Sequence, residues 1–597
     1  MSISLCMIVK NEEENLTRCL NSVKDLVSEM ILVDTGSTDR TVSIAREFGA
    51  SVFSCPWNDS FSDARNYALS KAAGSWILVM DADEELEPED QSALLALAQH
   101  KDGASEVCCC KTLCYSGAQA DCCNLLVTMN IRLIRNGKGY RYAGRVHEQL
   151  TGPEGPPRMT ASGVRFYHYG YLSSQIEKKD KHGRNIALIQ KELEESPGNG
   201  FMLFNLGNEY LALGKTEDAM DCYRESYRTL DPAYGYGTML LTRMILCCEQ
   251  LGRDEDQAQY IRDGLRLYPR LTDFEYLRAC MLHRQGKLLK AVRSCRRCIR
   301  MGPPPSDMNS VYGVSSFKPY HRLSVLYEQL GEPELALRYC RKAIRLNPRD
   351  REAFARMAYL LFAKGCTPVQ VQSRLLRLSE KDFCSFLMLS DLFYDRRMYR
   401  QALQFAVRAQ KWAPACCCAV ALYDEGVCRF FLGQYRRAYR CLSRTPEVRA
   451  NSRAAFFCVL CSLLDPSAAP VETDKLPFGL SASDIPAATA FRALLKGESC
   501  PPLNKDQQKP PGCADSVFGL LEILLRGGLL NEFTKAVQLL NQIDDRGILV
   551  RLGKLCYRYG YAELACRELK RSICVTGEID AEGLSILSKT LAAAAKG

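Results

Sequence analysis

No apolar run in this sequence reaches the ~18 residues that a membrane-spanning helix needs. The longest tempting one, Ala454 to Leu464, has the length of a core helix. The opening, MSISLCMIVKNEEENL, has no basic n-region, no long apolar h-region and no small-residue cleavage site, so a signal peptide is not expected and a cytoplasmic protein is. Charge of one sign is also in short supply: the formal net charge of +9 is modest for 597 residues and admits an acidic partner without requiring nucleic acid. Histidine is scarce, with six in the chain, so His147 and His168 stand out.

Cysteine is abundant instead, with thirty residues. A chain of this length builds a core without staples and nothing marks it for export, so a disulfide framework is not expected. The CCC runs at 108–110 and 416–418 and the CC at 122–123 sit among apolar residues, where a free thiol behaves as a small hydrophobe. CRRC (Cys295, Cys298) and CVLC (Cys458, Cys461) have half of a zinc-site spacing, but both lie in helical patterns without convincing partner pairs.

Two rhythms divide the chain. Residues 1 to about 175 alternate short apolar runs with amphipathic stretches: ISLCMIV, EMILVD, SVFSCPW and SWILVMD read as strands. Helical segments lie between them, two of them closed by Gly49 and Gly74. This β-α alternation predicts a mainly parallel sheet covered on both faces. Its buried strands are nearly continuous apolar runs, as such sheets require. Ligands bind beyond the carboxyl ends of such strands. Asp34 ends the second strand and Asp81-Ala82-Asp83 ends the fourth, so both acidic features share the binding edge.

A basic-to-acidic stretch, 176–198, predicts a linker helix, and such a charge run ordinarily marks a solvated face. From 199 the pattern is purely helical and repeats. LFNLGNEYLALGKTEDAMDCYRESYRTLDP (203–232) aligns with YHRLSVLYEQLGEPELALRYCRKAIRLNP (320–348), matching Gly214 to Gly331, Ala219 to Ala336, Tyr210 to Tyr327 and Pro232 to Pro348. This resembles the tetratricopeptide repeat, a helix-turn-helix unit of about 34 residues. Weaker copies carry Gly286 with Ala291, Ala402 with Ala409, Gly433 with Ala438 and Gly560 with Ala565. The expected layout is a solenoid over 199–464, an irregular Pro-rich segment over 465–515, and further helical repeats over 516–597. Stacked repeats bury their apolar faces against one another and present a surface suited to an extended peptide.

The run DADEE at 81–85 drives carboxylates against each other. Two acids at i and i+2 just past a strand can face one hard cation, and Mg²⁺ or Mn²⁺ fits because both are oxygen-seeking and commonly shared with substrate phosphates. The alternative is simple solvation of a strand end.

The order CMIVKNEEENLTRCLNSV, ILVDTGSTDRT, WNDSFSDARNYAL, VMDADEEL resembles the N-terminal half of the family 2 glycosyltransferases of the GT-A fold. The likeness spans roughly residues 2–95 and fades into 132–150 and 166–171. With the repeats, the chain is similar to bacterial glycosyltransferases that carry tetratricopeptide regions, including peptide S-glycosyltransferases of the sublancin type. The resemblance implies an α/β GT-A (Rossmann-like) domain over 1–175 and a nucleotide-diphosphate sugar donor, UDP-linked. It places the backbone around Ile8 and Lys10 at the base, Asp34 at the nucleoside and Arg65 at the donor phosphates. Arg65 could instead pair on the surface with Asp63. Asp81 and Asp83 would hold the metal and diphosphate, and His168 would be the third ligand or else a histidine packed between aromatics. An inverting transfer needs a general base, for which Glu148, beside His147, is the candidate; the family's acidic pair is here His-Glu, an inexact match. Glu148 could equally be an ordinary helix-start carboxylate. Lys178 or Arg184 could close over the phosphates.

The reading is thus a metal-dependent inverting transferase acting on a peptide or protein acceptor, with no nucleic acid and no membrane span, and a homodimer left open. Saccharide or lipid-linked acceptors also stay open. So does a decayed transferase domain in a scaffold, though intact Asp34, Arg65, Asp81 and Asp83 speak against decay. A nucleotidyltransferase is disfavoured: IVKNEEEN has no glycine to form a triphosphate-cradling loop, and its acids would repel phosphate.

Overall fold

The computed structural model describes residues 2–99, 106–117, 125–155, 157, 159–172, 181–232, 235–305, 308, 310–413, 418–444, 452–465, 484–503 and 513–594. Lys178, the cysteine pair 122–123, Cys416, Cys417 and most of the segment expected as irregular lie outside them. By contacts the chain divides into two compact units, Met1–Leu361 and Phe362–Gly597.

The first unit opens with the expected alternation: β1 (Ile3–Val9), α1 (Leu16–Val23), β2 (Glu29–Asp34), α2 (Thr41–Glu47), β3 (Ser51–Ser54), α3 (Phe61–Lys71) and β4 (Trp76–Val79). These strands pair in parallel in the order β3-β2-β1-β4, with Val9 opposite Asp34 and Cys6 opposite Val79. That register puts Lys10, Asp34 and Asp81 past the same edge. Leu5, Leu32, Val33 and Leu78 are fully buried, which accounts for the continuous apolar strands.

Beyond β4 the sheet becomes mixed. After β5 (Glu84–Leu86) and α4 (Gln91–Gln99) come β6 (Val107–Gly117), β7 (Leu125–Arg135), the small hairpin β8 (Arg141–Ala143) and β9 (Gln149–Thr151), and β10 (Met159–Leu172). The sheet continues β4-β7-β6-β10-β5, with β7 antiparallel to β4 and β5 antiparallel to β10. The sheet is therefore parallel in its first half and mixed in its second.

The repeats of this unit are helix pairs. A helix α5 (Lys181–Glu195) leads into α6 (Gly200–Ala212) and α7 (Thr216–Arg228), then α8 (Gly237–Gln250) and α9 (Asp254–Leu267), α10 (Thr272–Arg284) and α11 (Leu288–Met301), and α12 (Phe317–Gln329) and α13 (Pro333–Leu346). Between α6 and α7, and between α12 and α13, the chain turns through Gly214 (φ +75°) and Gly331 (φ +76°), the left-handed conformation that glycine adopts without cost. Ala219 and Ala336 are fully buried at the helix contacts, and Gly207 is small because Tyr223 packs on it: a Cβ there would lie 2.4 Å from the ring. A short strand β11 (Ser310–Val311), in the link between α11 and α12, adds antiparallel to β7.

The second unit is helical among its described residues. Its helices include Phe383–Asp395, Tyr399–Gln410, Cys418–Phe431 and Ser452–Leu464, and later Cys513–Gly527, Ile548–Arg558 and Ala562–Thr576. The stretch expected as irregular contains a helix, Asp484–Lys496, because Ala487, Ala488, Ala490 and Phe491 supply a buried face between the prolines. Cys458 and Cys461 are fully buried in this unit, as are Cys295 and Cys298 in the first, and burial pushes the Cys295 and Cys458 thiols up to about 12.

Candidate active site

The site is assembled at the carboxyl edge of β1, β2 and β4. Helix α3 begins at Ser60, whose hydroxyl accepts the Asp63 amide at 3.2 Å, and Asp63 sits in the first turn where the helix dipole favours acid. Ala64 and Ala68 face the sheet, while the Asn66 side chain bonds both backbone groups of Tyr142 at 2.8 Å and so fixes α3 to β8. Arg65 is thereby aimed across the edge. It donates through Nη2 to Asp81 Oδ1 at 2.9 Å and through Nε to Glu148 Oε1, and its guanidinium lies 5.6 Å from the Tyr142 ring centroid. The expected alternative, a pair with Asp63, is not formed; Asp63 instead accepts from Asn58 at 2.7 Å.

One cation thus bridges the acid run and the candidate base, 67 residues apart in sequence. Burial, the largest influence, raises the Asp81 carboxyl, but the charge and hydrogen bond of Arg65 together with the charge of Arg132 hold it below the ordinary aspartate range. The Glu148 side chain is 11% exposed, just before β9.

The acid loop has its own scaffold. Glu84, 2% exposed, accepts the Asp81 amide at 3.1 Å and forms an ion pair with Arg132 of β7, itself 4% exposed. Arg132 also reaches Val79 O at 3.3 Å and Thr112 Oγ1 at 3.1 Å. Burial drives the Glu84 carboxyl up against the pull of Arg132. Sequence reasoning missed both residues: Glu84 read as one more acid of DADEE, and nothing local marks Arg132.

His168 reaches the site through sheet register. β10 pairs with β5 so that His168 lies opposite Glu84, and its Nε2 is 3.4 Å from Asp83 Oδ1. Burial lowers the affinity of the imidazole for a proton, yet its bond to Asp83 raises it well above the ordinary value. The donor set of Asp81, Asp83 and His168, two carboxylates and an imidazole, is chemically suited to Mg²⁺ or Mn²⁺. Among the described residues, however, these side chains do not gather into a three-ligand cluster. Asp81 is held by Arg65 and Asp83 by His168.

Asp34 ends β2 and caps its own turn, accepting the amides of Gly36 at 3.2 Å and Ser37 at 3.1 Å. Ile8 is half-buried in β1 and Lys10 exposed just past it. His147 occupies a left-handed conformation (φ +53°) and its Nε2 is buried without a partner. Burial lowers its proton affinity, against the pull of Glu209 and Glu148.

The loop carrying His147 and Glu148 is backed by α5 and α6. Val146, Leu188, Ile189, Met202 and Leu206 form one buried cluster with Trp57 and Phe61 against it. Lys191 pairs with Asp59 at 2.7 Å and the Arg145 amide donates to Glu192 at 3.1 Å. Glu209 of α6 accepts from Asn185 at 2.8 Å and meets His182 at 2.6 Å. Helix α5 is therefore a docked element, not only the solvated charge run its composition suggests. Arg184, one of the two phosphate-closing candidates, stands 5.1 Å from the centroid of the Phe61 ring.

A parallel-edge acid site in a mixed α/β sheet, followed by helical repeats, defines a GT-A type transferase domain joined to a tetratricopeptide region. The family model for glycosyl transferase family 2 matches residues 4–117, and tetratricopeptide models match 202–229 and 317–350. The SPbeta prophage-derived glycosyltransferase SunS of Bacillus subtilis is 30% identical over 289 residues, 47% of this chain and 67% of that protein. A TPR repeat-containing protein of Synechococcus elongatus is 33% identical over 264 residues, 43% of this chain and 64% of its own. The chain belongs to glycosyl transferase family 2. Among solved structures, Staphylococcus aureus TarS 1-349 aligns over 44% of this chain and 90% of its own with 15% identity and a TM-score of 0.25, too low to bear on function.

Proposed function

We propose that this enzyme transfers a glycosyl group, with inversion, from a nucleoside-diphosphate sugar to a polypeptide acceptor brought by the repeats. UDP is the favoured nucleotide. The observation that carries the reading is the Arg65 bridge: one guanidinium touches both the acid run that would meet the diphosphate and the carboxylate that would meet the acceptor. Such a bridge requires the donor and acceptor ends of a site to lie within one side chain's reach.

Asp81 and Asp83, with His168, would hold a divalent cation, which would offset the charge of the departing diphosphate. Lys10, Asp34 and the Ile8 backbone line the edge where the nucleoside would sit. Arg65 has the forked geometry that phosphate oxygens accept, so the donor would draw it from Glu148. Glu148 then takes the proton from the acceptor hydroxyl or thiol. The acceptor atom forms its bond to the anomeric carbon from the face opposite the leaving oxygen, and the bonding pair of the broken C–O bond departs with the nucleoside diphosphate. His147, whose Nε2 is buried without a partner, would set the conformation of the loop that presents Glu148.

The test is nucleoside diphosphate release from a panel of UDP-, GDP- and dTDP-sugars with Mn²⁺, with and without peptide acceptors. Asp83→Ala is expected to lose at least about 100-fold in both hydrolysis and transfer with unchanged helical content, since several kcal/mol of charge stabilisation goes with the metal. Glu148→Gln is expected to lose about 10²- to 10⁴-fold in transfer, the usual worth of a general base. Unchanged turnover in both variants would remove the assignment.

A further inference from the structure

The repeats of the first unit hold a cation that the transferase chemistry does not use. Arg322 lies on α12 and is mostly buried against α10 of the preceding repeat. Its Nη1 donates to His283 Nδ1 at 3.2 Å, and its Nη2 reaches Cys280 Sγ at 3.2 Å and Tyr276 OH at 3.5 Å. His283 accepts at Nδ1 and therefore donates from Nε2, to Gln329 Oε1 at 2.9 Å. None of the partners of Arg322 is a carboxylate.

The nearby acids are committed elsewhere. Glu249 pairs with Arg284 at 2.7 Å, and Glu275, fully buried, pairs with Arg278 at 2.6 Å. Among the described residues no carboxylate reaches Arg322, although buried charges are ordinarily paired. The partners it does have orient the guanidinium without neutralising it. An imidazole at Nη1 and a thiol and a phenol together at Nη2 leave part of the fork unfilled, because a guanidinium has five N–H donors.

We infer that Arg322, framed by Tyr276 and His283 between the first helices of two successive repeats, is a docking site for a carboxylate side chain of an acidic polypeptide segment. The fork matches a carboxylate in plane, and partial burial strengthens the bond by excluding water. Stacked repeats build extended curved surfaces on which a polypeptide segment can lie. In naming the occupant as the acceptor the inference rests on the proposed transfer, but the anion site stands on its own geometry.

The experiment uses the full-length protein and fluorescein-labelled octaglutamate, with octalysine and inorganic phosphate as controls. Octaglutamate is expected to bind, octalysine not, and Arg322→Met is expected to weaken octaglutamate at least tenfold while leaving donor hydrolysis unchanged. Arg322→Lys, which keeps charge without the fork, should recover only part of the affinity. If Arg322→Met fails to fold, amide exchange in the unaltered protein decides: octaglutamate should slow exchange in α10 and α12. Equal binding by wild type and a folded Arg322→Met, protection confined to other helices, or binding of phosphate with no binding of octaglutamate would each overturn the inference. Absence of donor hydrolysis in the wild type, with octaglutamate still binding through Arg322, would sink the transferase reading and leave this site standing.

Discussion

At the scale of single residues, the site is a balance of charges in which each cation has two jobs. Arg65 pairs with Asp81 and Glu148 at once, and Arg132 pairs with Glu84 while gripping the end of β4 through Val79 O. The second pair is buried on both sides, so breaking it strands a charge. Arg132→Met is expected to destabilise the first unit by about 3–5 kcal/mol, read as a lower urea midpoint. The double variant Glu84→Leu/Arg132→Met should recover much of that stability, because an apolar pair leaves nothing unpaired. It should not recover turnover, since the Asp81 amide would still lack its Glu84 acceptor at 3.1 Å. A single variant as stable as wild type would show that the pair contributes nothing. Asp34, Asp81 and Asp83 were legible in the sequence because strand-end acids at a parallel edge carry a local signal. Glu84 and Arg132 were not, because burial reverses the meaning of a charge and burial is decided by strands 48 residues apart.

At the scale of elements, the loop 144–148 matters most, and what holds it comes from three places. Asn66 of α3 anchors the neighbouring strand β8, the Phe61 amide donates to Arg145 O at 2.8 Å, and α5 with α6 closes the back through Leu188, Ile189, Met202 and Leu206. Fully burying such side chains is worth about 1.5–3 kcal/mol each. A chain ending at residue 199 would strip Met202, Leu206 and Glu209 from the wall behind His147. It is expected to melt lower and to lose donor hydrolysis, whereas a chain ending at 361 keeps both. Circular-dichroism melts and nucleoside diphosphate release check this; equal activity in the two would show that the first repeat helix is dispensable to the loop. The change of rhythm near 199 is real in the sequence, yet helices on either side of it share one apolar cluster. A period switch reports secondary structure and not which faces pack together. The same limit applied to β10: alternation alone gives no partner, and only pairing with β5 brings His168 to Asp83. The repeat signature was easier to read, because Gly214, Gly331, Ala219 and Ala336 are each required by a turn or a contact within one helix pair.

At the scale of the whole molecule, each unit carries an acid, shielded from water, that makes its stability depend on pH. In the first, Asp273 at the start of α10 accepts the Val311 amide at 2.6 Å, and burial pushes its carboxyl up to about 6. In the second, the half-buried Asp424 is pushed up to about 7 from 3.8, first by loss of water around it and next by Asp391. Below about pH 4 both folded and unfolded chains hold the proton and neither residue matters. As pH rises toward 7 the unfolded chain releases the Asp424 proton while the folded unit keeps it, so the unfolded state gains and stability falls. The loss levels off above 7, and at about 1.4 kcal/mol for each tenfold difference in proton affinity its ceiling is about 4 kcal/mol. Asp424→Asn removes the ionisation and is expected to stabilise the second unit at pH 8 and to leave it unchanged near pH 4. Calorimetric scans at both pH values check this, with the transition that moves in the variant assigned to the second unit. An equal effect of Asp424→Asn at pH 4 and pH 8 would mean that the side chain acts by packing. A wild-type transition for this unit that rose between pH 4 and pH 7, and that Asp424→Asn left unaltered, would place the dominant titrating groups elsewhere.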